Sequence, residues 1–213
     1  MKPIGELKNI HEGHDIYVVA SGASAGFVDE RFFDNKLAIG VNQVWERFTN
    51  LDYIVRKESK GMNVAIAASK LFGFKTICSE HNCGTLRYAK NESADYYFEH
   101  LDNKLEEIGL SVVGTDKIVV SYSTITSAIH IAAYMGAANI ILIGHDCGTL
   151  DGKANIAGYA ESPHGAQFYR EFLAVIEPQT LALRAKLKEV YGCNVYSLNP
   201  FVNLGLEGHE YKR

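Results

Sequence analysis

The residues best suited to chemistry follow runs of apolar residues that are typical of buried strands. Asp146 comes directly after the run 139–143, in Gly144-His-Asp-Cys-Gly148. A carboxylate at a strand end could orient a hydroxyl group or a hydrated Mg²⁺ ion. His164, in a polar stretch before a long helical pattern, could act as a general base, because the ordinary pKa of histidine is about 6.5. Asp146 and His164 are the predicted catalytic residues.

Small and hydroxylated residues after other strands are suited to binding a nucleotide. The glycines of Gly22-Ala-Ser-Ala-Gly26 would let the backbone approach a phosphate or sugar closely, and Ser24 adds a hydroxyl group. The side-chain amide of Asn42 could read a base or ribose. The segment 121–127 carries five Ser or Thr hydroxyl groups at a helix start, where free N–H groups and the helix dipole favour an anion. The predicted nucleotide- or phosphate-binding residues are Gly22, Ser24, Asn42, Thr126, Ser127 and Gly144.

Each of these features also has a purely structural explanation. The segment 22–26 could be an ordinary tight turn, Asn42 could cap a helix, and Asp146 could cap a turn. Ser24, Asp146 and His164 also occur in the chain order of an α/β-hydrolase triad. No Gly-rich loop precedes Ser24 to supply an oxyanion donor, so a hydrolase is disfavoured.

Two cofactor motifs are incomplete. Position 24 is Ser and position 27 is Phe, so the loop departs from the dinucleotide-binding fingerprint and gives no support for NAD. Cys78, His81 and Cys83 form a C-x₂-H-x-C cluster that lacks a fourth zinc ligand. No resident metal is therefore predicted, and Mg²⁺ is the one cofactor that the chemistry at Asp146 would suit.

The elements that would position these residues alternate along the chain. Short apolar runs predict six or seven strands, and stretches of helical spacing lie between them. Strands that are apolar on both faces indicate an α/β fold, with one mainly parallel, doubly wound, Rossmann-like sheet covered by helices on both sides. Pro178 predicts a break in the last helix. The predicted strands are 15–21, 37–41, 52–55, 75–78, 117–121, 139–143 and 194–198, and the predicted helices are 42–48, 62–72, 93–108, 124–135 and 166–191.

Composition narrows the class of protein. With 213 residues, of which 47% are hydrophobic and 22% charged, the chain is expected to form a single domain over residues 1–213. A net charge of -4 argues against nucleic acid as a partner and favours small substrates.

The N-terminus lacks the apolar core of a secretory signal, which predicts a cytoplasmic protein. The most apolar window, 129–144, contains polar interruptions, so no membrane span is expected. No feature of the sequence indicates an oligomeric state.

The sequence resembles the Rossmann-type family related to archaeal 6-hydroxymethylpterin diphosphokinase. This family is similar in layout to bacterial CMP-sialic-acid-dependent sialyltransferases. The stretch 126–146 matches a shared Thr/Ser, helix, Gly, strand, Gly-x-Asp pattern. The match of Asn42-Gln43 to an Asn-Gln of the sialyltransferases implies nucleotide contact by Asn42. Thr126-Ser127 matches a segment that implies cytidine or phosphate contact. The stretch 195–200 resembles the closing strand and implies a contact at Asn199.

The sequence also departs from the sialyltransferase pattern. Gly148 stands where the transferases carry a Tyr that assists the leaving phosphate. A second Tyr of that role has no clear counterpart, although Tyr159 is nearby. His164 matches the catalytic histidine by order along the chain but not by spacing to Asn199-Pro200. The string Asp151-Gly-Lys-Ala-Asn155 is closer to the diphosphokinase-like branch.

Three functions remain open on this resemblance. The first is a nucleotide-dependent transferase that moves a sugar from a CMP-sugar-like donor to a small-molecule or glycan acceptor. The second is Mg²⁺-dependent diphosphoryl transfer from ATP to a hydroxymethyl group, although a Walker lysine motif is absent. The third is a nucleotide-binding module without turnover, which the lack of a basic pocket motif favours.

Overall fold

The computed structural model describes residues 1–57, 59–79, 81–83, 86–88, 93–101, 117–119, 123–159 and 165–198. Two predicted site residues, His164 and Asn199, lie outside the described residues. In the part of the chain that is described, no helix is long and apolar enough to cross a membrane.

One parallel sheet organises the molecule. The strands along the chain are β1 Lys2–Pro3, β2 Asp15–Val19, β3 Leu37–Val41, β4 Tyr53–Arg56, β5 Lys75–Ser79, β6 His81–Cys83, β7 Leu86–Tyr88, β8 Tyr96–His100, β9 Lys117–Ile118, β10 Asn139–Ile143 and β11 Asn194–Ser197. The order of the strands in the sheet is β1-β8-β5-β4-β3-β2-β10-β11, and β9 pairs with β8. A separate hairpin of β6 and β7 is antiparallel.

Apolar side chains cover the sheet on both faces, because successive residues of a strand point to opposite sides. Val18 of β2 packs into one core and Val19 into the other. The first core includes α2 (Thr124–Tyr134), part of α3 (Gly165–Tyr191) and a 3₁₀ turn at Ile4–Leu7. The second core includes α1 (Ser59–Phe72) and 3₁₀ turns at Ala23–Phe27, Glu30–Phe33 and Val44–Glu46.

The α/β class and the mainly parallel sheet are as the sequence predicts, but the strand count is not. Six or seven strands were expected, and the described residues form a sheet of nine. The predicted helix 93–108 is wrong over Tyr96–His100, which is β8. β8 pairs with β1 and with β5, and the packing of its aromatic run between these strands outweighs the local helical spacing. The predicted helix 42–48 is only a 3₁₀ turn.

The order of the strands creates a crevice between β2 and β10. From β2 the chain builds the sheet outward through β3, β4 and β5, and it then returns to the other side of β2 with β10. Val19 pairs with Gly40 of β3 on one side and with Ile143 of β10 on the other. Loops that leave such neighbouring strands diverge to opposite faces of the sheet, and ligands bind at the carboxyl ends where they part.

Candidate functional site

Two glycines bring the chain together at this crevice. The backbone N–H of Gly22 donates a hydrogen bond of 2.8 Å to the carbonyl oxygen of Gly144. A Cβ atom on Gly22 would lie 2.4 Å from that oxygen and 2.7 Å from Cγ of Asp146. Gly144 has φ of +66°. Side chains are therefore excluded at both positions, by contact at Gly22 and by backbone conformation at Gly144.

A carboxylate ties the loop after β10 to the turn after β2. Oδ2 of Asp146 accepts a hydrogen bond of 2.8 Å from the backbone N–H of Ser24, and Oδ1 accepts one from the Ser24 hydroxyl. Asp146 is buried, and this burial raises the pKa of its carboxyl group, while the two hydrogen bonds from Ser24 act in the opposite direction. The structure thus joins two residues that the sequence analysis selected from separate motifs.

This contact differs from a hydrolase triad. In a triad the serine bonds to a histidine, which in turn bonds to the acid. Here the Ser24 hydroxyl donates directly to Asp146. Ser24 is therefore paired with an acid and not with the base that would activate it.

The segment after Asp146 folds back over the end of β2. Leu150 and Lys153 exchange backbone hydrogen bonds of 2.9 and 3.0 Å, which closes a tight turn. Asn155 then forms an antiparallel bridge with Gly22, and its Oδ1 accepts a bond of 3.0 Å from the Ser21 hydroxyl. These contacts place the polar segment that follows β10 on the carboxyl edge of the sheet.

Tyr159 links this segment to the loop after β3. Its hydroxyl interacts with the side chains of Ser21 and Asn42 and with the backbone of Gln43. Burial raises the pKa of Tyr159, so the phenol keeps its proton at neutral pH and can donate a hydrogen bond. Asn42 has φ of +56°, and its N–H donates to the Val55 carbonyl at 3.0 Å. Gln43, not Asn42, occupies the N-cap position of the following 3₁₀ turn.

Two cations follow at the end of β4. Nη1 of Arg56 donates a long hydrogen bond of 3.5 Å to Oε1 of Gln43. The guanidinium lies against Gly61 in the first turn of α1, where an added Cβ atom would come within 1.9 Å of Arg56 Cζ. Lys57 is buried beside it. The sequence analysis missed Arg56, although a pair of basic residues directly after the apolar residues of β4 was a usable signal.

Thr126 and Ser127 lie in the first turn of α2. This helix ends near the start of β2, since His11 N–H donates to the Met135 carbonyl at 2.9 Å, so it begins at the carboxyl edge. Both residues are buried, and the Ser127 hydroxyl donates to the Val119 carbonyl at 3.1 Å. Their predicted contact with cytidine or phosphate stays a prediction.

His145 points away from the crevice toward α3. Its Nε2 lies 2.7 Å from Oγ1 of Thr180, and that hydroxyl donates its own proton to the Ile176 carbonyl at 3.0 Å. The same Nε2 atom lies 3.6 Å from Sγ of Cys147. Burial lowers the pKa of His145 to about 4 and raises the pKa of Cys147 to about 12. Neither side chain is suited to act as a base or nucleophile at neutral pH.

The structure gives limited information on metals. Cys78 is buried in the core, whereas the side chains of His81 and Cys83 lie outside what is described. Across the described residues, no three His, Cys, Asp or Glu side chains form a group that could hold a metal ion.

Comparison with known proteins gives fold likeness only. No protein-family model matches the chain, and no curated protein matches its sequence. Its fold is similar to that of the sialyltransferase CstII from Campylobacter jejuni, solved in complex with cytidine-5′-monophosphate, with 13% identity, a TM-score of 0.52, and coverage of 92% of this chain and 84% of that one. It is also similar to the MAf glycosyltransferase from Magnetospirillum magneticum AMB-1, with 14% identity, a TM-score of 0.51, and coverage of 99% of this chain but only 38% of that one.

These two structures agree with one part of the family resemblance in the sequence, that to the sialyltransferases, and not with the other, that to the diphosphokinase family. Both are glycosyltransferases, so the chain has a glycosyltransferase-like α/β layout. Neither is a diphosphokinase, and the resemblance to that family has no support from the structural comparison.

Proposed function

We propose that the protein is a glycosyltransferase that takes its sugar from a nucleotide donor bound at the carboxyl edge of the sheet. The observation that carries this proposal is the joining of loops from β2, β3 and β10 into one polar site at the crevice where the strand order reverses. The fold likeness to a sialyltransferase solved with cytidine-5′-monophosphate supports it. A crevice of this kind is where parallel α/β sheets bind nucleotides.

The loops after β2 and β3 would hold the nucleoside. Gly22 and Gly144 bring the loops after β2 and β10 into close contact, and Ser24 shapes the turn between them. Asn42 would contact the base or ribose through its amide. In this proposal Thr126 and Ser127 contribute the start of α2 to the phosphate, and Asn199 makes a further contact with the donor.

Transfer would need an acceptor hydroxyl to attack the sugar carbon while the bond to the nucleotide phosphate breaks. We assign the removal of the hydroxyl proton to His164 and the orientation of a substrate hydroxyl to Asp146. Negative charge grows on the departing phosphate, so donors fixed before the reaction lower its barrier most. The site offers neutral hydrogen-bond donors for this purpose in Tyr159 and Asn42.

The donor set is poorly suited to Mg²⁺. Among the described residues, Asp146 contributes a carboxylate to the crevice, and both its oxygens already accept hydrogen bonds from Ser24. Mg²⁺ needs near-octahedral oxygen coordination and usually takes one or two carboxylates with substrate phosphates. We therefore expect transfer to continue in the presence of a chelator, whereas the diphosphokinase alternative requires the ion.

Calorimetric titration tests the proposal. CMP, CDP, ATP, CMP-sugars and UDP-sugars are added in turn to the protein, and at least one nucleotide is expected to bind with Kd below about 1 mM. Absence of binding by all of them would contradict the proposal. Release of the free nucleotide from the bound donor, measured with a panel of glycan acceptors, then separates an enzyme from a module that only binds.

A further inference from the structure

Arg56 is a largely enclosed cation that has no counter-ion among the described residues. Its Nε atom is buried and has no hydrogen-bond partner among the described residues, and its one hydrogen bond there is the long contact to Gln43. Arg56 forms no ion pair with the described part of the chain. An unpaired charge that is withdrawn from water costs free energy, so a fold that keeps one is expected to meet it with a ligand of opposite charge.

Arg47 shows the ordinary arrangement for comparison. Its Nη1 is ion-paired with the Glu30 carboxylate on the surface. Arg47 also lies over the Phe48 ring. Its charge is already compensated within the fold, which makes it a suitable control for Arg56.

The surroundings of Arg56 favour an anion. The guanidinium lies against Gly61, in the first turn of α1, where the helix dipole is positive and N–H groups lack helical partners. A cation beside the positive N-terminal end of a helix is unfavourable when no anion is present. An anion placed beside both would be stabilised by both, and the absent side chain of Gly61 lets the guanidinium reach that position.

Other hydrogen-bond donors lie close by. Tyr159 is near enough to Arg56 to interact with its charge, and the same hydroxyl contacts Asn42 and the Gln43 backbone. β4 is separated from β2 by β3 alone, and adjacent strands are about 4.8 Å apart, so the end of β4 is roughly 10 Å from the crevice at Gly22. A nucleotide whose nucleoside is held at the crevice could extend its phosphate over that distance.

We infer that Arg56, together with Tyr159 and the start of α1, forms an oxyanion subsite that takes a phosphate group. A guanidinium suits this task because its planar N–H groups bind two phosphate oxygens at once. In the proposed glycosyl transfer, on which this assignment of the ligand rests, the group is the leaving phosphate of the donor. The side chains of Thr126 and Ser127 at the start of α2 carry no charge, and the Ser127 hydroxyl already donates to the Val119 carbonyl. Arg56 therefore supplies a positive charge that these two side chains do not.

The first experiment measures anion binding separately from nucleoside binding. Inorganic pyrophosphate, cytidine, CMP and glucose 1-phosphate are titrated calorimetrically into the wild-type protein, Arg56→Gln and the control Arg47→Gln. Arg56→Gln is expected to weaken pyrophosphate and CMP binding by about 10- to 100-fold and to leave cytidine binding unchanged, and Arg47→Gln should change neither. Thermal unfolding checks that each variant is folded.

A second variant keeps the charge and moves it. A methyl group at position 61 would overlap the guanidinium, whose Cζ, Nε and Nη2 would lie 1.9, 1.9 and 2.0 Å from it, so Gly61→Ala must displace Arg56. Alanine is a better helix former than glycine, and Tm is expected to stay the same or to rise. Binding of pyrophosphate should nevertheless fall by about tenfold. Unchanged binding would contradict a subsite beside α1.

The outcomes separate this inference from the proposed function. If CMP binds and Arg56→Gln binds it equally well, the subsite is wrong and the nucleotide site stands. If pyrophosphate binds through Arg56 while no nucleotide binds, the subsite stands and the donor assignment is wrong. Binding of glucose 1-phosphate but not CMP, again through Arg56, would assign the phosphate to a sugar substrate and not to the nucleotide.

Discussion

Asp146 acts on the residues around it before any substrate is present. Its two oxygens hold the N–H and the hydroxyl of Ser24, and its Cγ leaves no room for a side chain on Gly22. A buried carboxylate is stable when such hydrogen bonds satisfy it. The contacts also fix the distance between the loops that follow β2 and β10. Asp146 is thus both a candidate catalytic group and the link that shapes the crevice.

Gly22→Ala is expected to destabilise the protein, and Gly26→Ala is its matched control in the same turn. The new methyl group at position 22 would meet backbone atoms of Gly144, which cannot rotate away, whereas at position 26 its nearest neighbour would be Ile156 Cγ2 at 4.0 Å. Overpacking costs about 1–3 kcal/mol of unfolding free energy. Urea denaturation of both variants measures the difference, and equal stability would show that the loops do not need this close approach.

His145 predicts how stability depends on pH. Its pKa of about 4 in the folded chain is below the ordinary value of about 6.5, so between these values the unfolded chain binds a proton that the folded chain does not. The free energy of unfolding should therefore fall as pH decreases from about 6.5 toward 4. His145→Gln should reduce this slope by about 1.4 kcal/mol per pH unit, because one proton is removed from the balance.

Urea denaturation at several pH values between these limits measures that slope. A glutamine side chain can still form a hydrogen bond with Thr180, so the variant is expected to stay folded. His14→Gln alters an exposed side chain and is the control. A slope in His145→Gln equal to that of the wild type would show that this histidine is not the source of the pH dependence.

The sequence identified some residues of this site and missed others for a physical reason. Gly22, Ser24, Asn42 and Asp146 were recognisable because each follows a clear apolar strand, and such positions share one edge of a parallel sheet. Arg56 was not selected, because what makes it a candidate is that no acidic side chain among the described residues forms an ion pair with it. Pairing across the sheet cannot be read from spacing along the chain.

The elements show the limits of local patterns. The helix that includes Pro178 was expected to break there, yet α3 continues from Gly165 to Tyr191. The side chains of Ile176, Leu183 and Leu187 in this helix are buried in the interior of the protein. Their packing outweighs the hydrogen bond that proline cannot make.

Pro178→Ala is expected to stabilise the protein. Proline in a helix interior costs about 3 kcal/mol relative to alanine, and the opposing effect of proline on the unfolded chain is about 1 kcal/mol or less. Pro178 is exposed, so its replacement leaves no cavity. A rise in Tm measured by circular dichroism would agree with a continuous helix. A lower Tm would indicate that the chain needs proline at this point.

At the scale of the whole molecule, the reversal of strand order determines where a ligand can bind. The segments near residues 22, 42 and 146 lie at one edge because β2, β3 and β10 run in parallel and in register. The 3₁₀ turn 23–27 and the segment 147–159 then cover this edge through the Asn155 contacts. A bound nucleotide should therefore affect distant parts of the sequence together.

Hydrogen exchange with and without CMP tests this expectation. Amides in 21–26 and 144–159 are expected to be protected jointly by the nucleotide, and those of β8 (Tyr96–His100), on the far side of the sheet, should be unaffected. At a concentration about 100 times Kd, binding also adds about 2.7 kcal/mol to the free energy of unfolding. Protection of β8 without the crevice segments would show that the nucleotide binds elsewhere.

The sequence by itself determined the α/β class, the parallel strands and the residues that end them, because these depend on local apolar runs and turn residues. The tertiary structure decided that β8 is a strand, that α3 passes through Pro178, and that Ser24 bonds to Asp146. It also placed Arg56 beside α1 with no counter-ion in the part of the chain that is described. Each of these results depends on contacts between segments far apart in the chain, where packing and charge pairing outweigh local preference.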